Sequence, residues 1–144
     1  MKRREFIILL SGGTWSFAAR AQQSASSPRI GFLPLGSPSN GSDLSLVEAF
    51  QKRARDTRLL EGHDVILDVV WTQNGAQYSE ELTELIQRGA AILATAGSSA
   101  SPIAKQQTST IPIVFNVGNP IGIGLVKSLP HSGGNVTGFA DAWR

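Results

Sequence analysis

Three pairs of uncharged polar residues stand at the ends of apolar, β-branched runs in this chain. Ser37 and Ser39 follow residues 29–35, Ser98 and Ser99 follow residues 90–95, and Asn116 and Asn119 bracket the end of residues 110–117. Hydroxyls and carboxamides of this kind donate hydrogen bonds without bringing a counter-charge. Beside the N–H groups of a helix start they suit a carboxylate or a zwitterion. Each of these residues could by itself be nothing more than a helix N-cap. Their convergence on one edge of a sheet points to binding, with Ser37, Ser98, Ser99, Asn116 and Asn119 as the candidate ligand-binding residues.

The residue types for bond-breaking chemistry are not assembled. Gly122-Ile123-Gly124 lacks a third glycine and does not follow the first strand, so it makes no dinucleotide fingerprint. There is no Walker A loop, and no acidic pair ends the first strand as a phosphoryl-accepting domain would need. Ser98-Ser99 has neither a G-x-S-x-G elbow nor an evident base. His63 and His131 lie in separate turns and read as surface residues, not as a catalytic or metal pair. No nucleophile, base and orienter come together, so no catalytic residue, metal ligand or cofactor is expected.

The elements that must carry the polar pairs alternate regularly. Residues 29–35 form a first strand and residues 36–41 a Gly/Ser/Pro/Asn loop. From Ser42 the apolar spacing changes to three and four, at Leu44, Val47, Phe50 and Ala54, which predicts a helix over residues 43–58. Its Lys52, Arg53 and Arg55 read as a solvated face. Residues 61–64 turn the chain into a second strand, 65–71. A second helix spans 77–88 with Leu82, Leu85 and Ile86 inward, and Glu80, Glu81 and Glu84 outward near its positive end. Residues 90–95 are the third strand and 100–108 a third helix, with Pro102 in its first turn.

The stretch 110–138 organises the rest. Residues 110–117 read as a strand buried on both faces. Asn119-Pro120 reads as an N-cap and first helical position, residues 121–129 as a fourth helix, and Val136 as the start of a fifth strand. Connections this short imply parallel crossovers, hence an α/β fold with a doubly wound parallel sheet. The predicted core is Phe32, Leu67, Val69, Ile92, Leu93, Val114 and Phe115.

Composition is that of an ordinary globular protein: 144 residues, 41% hydrophobic and 17% charged, without cysteine. That length supports one domain. The net charge of +2 comes from the N-terminus, where Lys2, Arg3, Arg4 and Arg20 face only Glu5. Beyond residue 21 there are nine basic and ten acidic residues, so no nucleic-acid partner is indicated. Residues 1–21 have the build of an export signal: a basic start, an apolar stretch too short to span a bilayer, and the small–x–small Ala19-Arg20-Ala21. Arg3-Arg4-Glu5-Phe6-Ile7 approaches the twin-arginine pattern. Residues 22–28 read as a flexible tether and 29–144 as the folded lobe.

Several blocks resemble the periplasmic substrate-binding proteins of ABC transporters, in the subgroup that includes tryptophan- and other amino-acid-binding members. They are Arg3 to Ile7, the Ala-Arg-Ala-Gln-Gln junction at 19–23, Ile30-Gly31-Phe32-Leu33 and Glu61-Gly62. The run Ser109 to Phe115, Gly124-Leu125-Val126 and Gly133-Gly134-Asn135-Val136-Thr137-Gly138 complete the set. The resemblance implies a periplasmic-binding-protein-like lobe of flavodoxin-like strand order 2-1-3-4-5. It also implies a periplasmic location, a small amino-acid-like or carboxylate-bearing solute, and an ABC permease in the inner membrane as partner. Family members usually have Asp-Pro where this chain has Asn119-Pro120, and Gly-Tyr where it has Arg58-Leu59, so an altered helix end is expected. They are more than twice as long, so the second lobe is expected to be absent here, as in a truncated protein. The competing readings are a small exported α/β hydrolase and a non-functional remnant of a binding protein.

Overall fold

In the computed structural model the described residues are 27–140, apart from Leu35 and Leu60. The expected export signal at 1–21 and most of the expected tether lie outside them. The elements are β1 (Arg29–Pro34), α1 (Gly41–Asp56), β2 (Ile66–Val69), α2 (Gly75–Gln87), β3 (Ala90–Ala96), α3 (Ala100–Gln107), β4 (Ile113–Val117) and β5 (Val136–Ala140). All strands pair in parallel, in the order β2-β1-β3-β4-β5, as expected.

The helices start where short polar side chains can hold their first free N–H groups. Asn40 accepts from Ser42 N–H at 3.0 Å and Asn74 from Gln77 N–H at 2.8 Å, so both helices begin two residues before the expected positions. That shift leaves the first turn of α2 without acidic residues, and the three glutamates gain little from its positive end. Glu84 instead pairs with Arg88 one turn on, at 2.9 Å.

One face of the sheet holds the larger core. Tyr78, Leu82 and Leu85 of α2 and Ala100 and Ala104 of α3 pack there with Leu33, Leu93, Ile113, Phe115, Val117 and Val136. On the other face α1 sets Val47 and Phe50 against Phe32, Ala94, Leu67 and Val69, and the Phe32 and Phe50 rings stack at 4.9 Å. Among the described residues α1 is the one helix on that face. The predicted core is therefore corrected. Phe32, Leu93 and Phe115 are buried; Leu67, Val69 and Val114 are only half-buried, and Ile92 is 36% exposed. Likewise β4 is buried along Ile113, Phe115 and Val117 but not on both faces, since Asn116 beside Val114 is exposed.

The fourth helix does not form. Residues 120–125 make turns, in which Gly124 takes φ 70° and Leu125 and Val126 donate to the carbonyl of Pro120 at 2.9 and 3.2 Å. Gly122 and Gly124 disfavour a helix. The buried anchors Leu125 and Val126 are also adjacent in sequence, where a helix would need them three or four apart. Lys105 of α3 holds the turn by donating to the carbonyls of Gly124 and Leu125 at 3.2 and 2.7 Å.

Candidate functional site

The strand order places a switch point between β1 and β3. The chain leaves β1 toward one face of the sheet and leaves β2 and β3 toward the other. Ligands of open α/β sheets bind beyond the strand C-termini at such a point. The connections there are 35–40 after β1 and 97–99 after β3, with the end of β4 alongside. The topology thus puts Ser37, Ser98, Ser99, Asn116 and Asn119 on one edge, carried by three adjacent strands.

Their side chains are differently committed. The Ser37 hydroxyl pairs with that of Ser39 at 2.7 Å, and the Ser37 N–H donates to the Asp43 carboxylate at 3.1 Å. Ser98 and Ser99 are exposed, and Ser99 occupies the N-cap position of α3 without making a side-chain cap bond. Asn116 is exposed, and its carbonyl accepts from Gly97 N–H at 3.1 Å, tying the β3 and β4 ends together. Asn119 behaves as a cap without a helix. Its Oδ1 accepts from Gly122 N–H at 2.8 Å, which leaves its Nδ2 as the donor.

Three polar groups near this edge escaped the sequence reading. Asp43 was assigned only to a helix, yet its carboxylate stands so close to Gly36 that a Cβ there would lie 2.2 Å from Oδ2. An acidic residue three places into a helix that follows a serine-rich loop was the available signal. Ser101 and Thr95 share a buried hydrogen bond of 2.9 Å, and Ser101 also donates to Gly97 O at 3.2 Å. That pair fixes the turn presenting Ser98 and Ser99.

The third group is Tyr78, which continues the inward stripe of Leu82 and Leu85. It is 1% exposed and its hydroxyl has no hydrogen-bond partner. Burial pushes its phenol pKa well above the ordinary tyrosine value, so it remains a donor at any physiological pH. Tyr78 lines a cavity of about 130 Å³ with Gln73, Gly75, Ser99, Ala100 and Ile103, between the starts of α2 and α3. A larger hollow of about 520 Å³ lies at the opposite end of the molecule. It is lined by Phe50, Ala54, Leu59 and Leu67 and faces away from the strand C-termini.

His63 and His131 remain apart from this edge, on the connections leading into β2 and β5. His63 pairs with its neighbour Asp64 at 2.9 Å.

The fold is that of a periplasmic-binding-protein-like lobe. The family model for ABC transporter substrate-binding proteins matches residues 44–144, and the chain belongs to that family. Among solved structures it is similar to an ABC domain in complex with L-Trp from Streptococcus pneumonia, at 24% identity and a TM-score of 0.69. That match covers 80% of this chain and 39% of the other. It is also similar to the ligand-free, open form of a substrate-binding protein with adhesive properties from Clostridium difficile, at 20% identity and TM-score 0.71, covering 78% and 38%. A conserved domain protein from Vibrio cholerae matches at 22% identity and TM-score 0.73, covering 79% and 38%. At these identities the likeness carries the fold alone. The chain spans about two fifths of the length of these structures. No curated protein matches it.

Proposed function

We propose that this chain is the solute-capturing lobe of an exported component of an ABC transport system. It takes a small amino-acid-like solute at the C-terminal edge of its sheet and presents it to an inner-membrane permease from the periplasm. Ser37, Ser98, Ser99, Asn116 and Asn119 supply hydrogen bonds to the solute, and residues 1–21 are the export address. No bond-making step is assigned to these residues.

The observation that carries this reading is the gathering of uncharged donors from β1, β3 and β4 at the switch point. Family membership and the L-Trp complex of a structural neighbour support an amino-acid-like solute. Asp43, beside Ser37, suits the ammonium end of such a molecule where the family's usual Asp is Asn119.

A clamshell site gains affinity by burying the ligand between two lobes. On one lobe a ligand keeps a face in water, and each hydrogen bond contributes only about 0.5–1.5 kcal/mol net. A few such bonds hardly offset the cost of immobilising the ligand, so the Kd is about millimolar, roughly −4 kcal/mol. Calorimetric titration with the L-amino acids tests this. Millimolar binding supports the reading, whereas micromolar binding by the monomeric chain would contradict this account of a one-sided site.

A further inference from the structure

We infer that the hollow at the N-terminal end of the sheet, beside the last turns of α1, is a second binding site for a small amphipathic acid, an apolar body carrying one carboxylate. It is separate from the solute edge, since it faces away from the strand C-termini. Its volume of about 520 Å³ lies within the roughly 300–1,000 Å³ of pockets that enclose a small molecule.

The body of the ligand is specified by the wall. Phe50 and Ala54 come from the last turns of α1, Ile30 and Leu67 from the starts of β1 and β2, and Leu59 and Val65 from the connection between α1 and β2. Of these six Val65 is buried, Leu59 is 42% exposed and the other four are half-buried. Apolar surface left wet around a concavity is what an apolar body of matching size covers.

Charge selects the head group. Two of the cations that the sequence presents as a solvated face, Arg53 and Arg55, line this hollow, against Glu61 as its one acidic residue. Neither arginine has an ion-pair partner among the described residues. The segment 52–58 carries four basic residues and one acidic, so the potential at the rim is positive. The last carbonyls of α1 do not oppose an anion as open acceptors. Those of Arg53 and Ala54 accept from the Thr57 hydroxyl at 3.1 and 2.8 Å, and that of Arg55 accepts from Arg58 N–H at 2.9 Å. Guanidinium groups at the rim of an apolar pocket pair with a carboxylate whose tail lies inside.

The same charge weighs against the other occupants. A second copy docked here about a two-fold axis would set Arg53 and Arg55 against their own counterparts. The start of this chain would bring Lys2, Arg3 and Arg4, and residues 22–26 offer no apolar side chain beyond Ala25.

Octanoate, octanol, octylammonium and butyrate test the assignment, each titrated into the full chain below any micelle concentration and followed by amide chemical shifts. Octanoate should shift residues 50–67 and bind at least about tenfold tighter than butyrate and about threefold tighter than octylammonium. Arg53→Gln combined with Arg55→Gln, both at exposed positions, should weaken octanoate about three- to tenfold and leave octanol unchanged. Ala54→Leu narrows the hollow and should weaken octanoate and octanol alike. Octylammonium binding as tightly as octanoate, an unchanged octanoate affinity in the double variant, or shifts centred elsewhere would overturn the inference. A full chain silent to octanoate would assign the hollow to the chain's own residues, and a dimer that octanoate dissociates would assign it to a second copy; either result also overturns it.

Discussion

The backbone N–H of Leu59 donates to the carbonyl of Ala54 at 3.0 Å, and this bond closes over Arg58, which is held at φ 63°. Arg58 N–H donates to Arg55 O at 2.9 Å, so the pair forms the reverse turn that commonly ends a helix with glycine. Here the end of α1 keeps that geometry with an arginine in the left-handed region. Left-handed backbone costs an L-residue roughly 1–2 kcal/mol, partly offset by the freedom glycine loses on folding. Arg58→Gly is expected to stabilise the lobe by about 0.5–1 kcal/mol, a rise of a few degrees in Tm measured by circular dichroism. A lower Tm would mean that the arginine side chain holds the helix end in a way its backbone does not reveal.

The two faces of β3 should respond differently to truncation. Leu93 is fully buried against α2, and Leu93→Ala should cost about 2–5 kcal/mol. Ile92, its neighbour, is 36% exposed, and Ile92→Ala should cost about 1 kcal/mol or less. Urea unfolding of the two variants gives the comparison. Equal losses would show that Ile92 is covered in solution.

Gly138 lies opposite Phe115 in the β4–β5 pairing, and a Cβ there would stand 2.0 Å from the Phe115 carbonyl oxygen. Gly138→Ala must push β5 away from β4. We expect a loss above about 2 kcal/mol, with amide-exchange protection falling first along residues 136–140. Protection unchanged across β5 would mean that the strands sit farther apart than this register requires.

The parts of the fold legible in the sequence are those where period and punctuation agree. β1 and β3 stand out as β-branched or small apolar runs ended by glycine, and α1 and α2 as three-and-four spacings; the strand order itself was implied by the family resemblance, since periodicity identifies elements and not their neighbours. Residues 121–129 misled because an Asn-Pro start and scattered apolar residues resemble a helix. Gly122, Gly124 and the grip of Lys105 on two carbonyls decide otherwise. Ile92 and Val114 misled because an apolar run cannot say whether a helix covers both of its faces. The candidate edge was readable as polar residues after strands. Tyr78 was not, because a tyrosine in an apolar stripe looks like core until its hydroxyl is found without a partner.

The export address can be tested by N-terminal sequencing of secreted protein, which should begin at or near Gln22 after removal of residues 1–21. A secreted product still carrying residues 6–17 would contradict the assignment of that stretch as a cleaved signal.

The central claim is that solute is held at the C-terminal edge of the sheet, and mapping amide chemical shifts while titrating the full chain with L-amino acids tests it most directly. The account predicts shifts concentrated in residues 36–43, 73–78, 97–101 and 116–122, around the switch point. Shifts concentrated instead in residues 50–67, around the larger hollow at the opposite end, would contradict it.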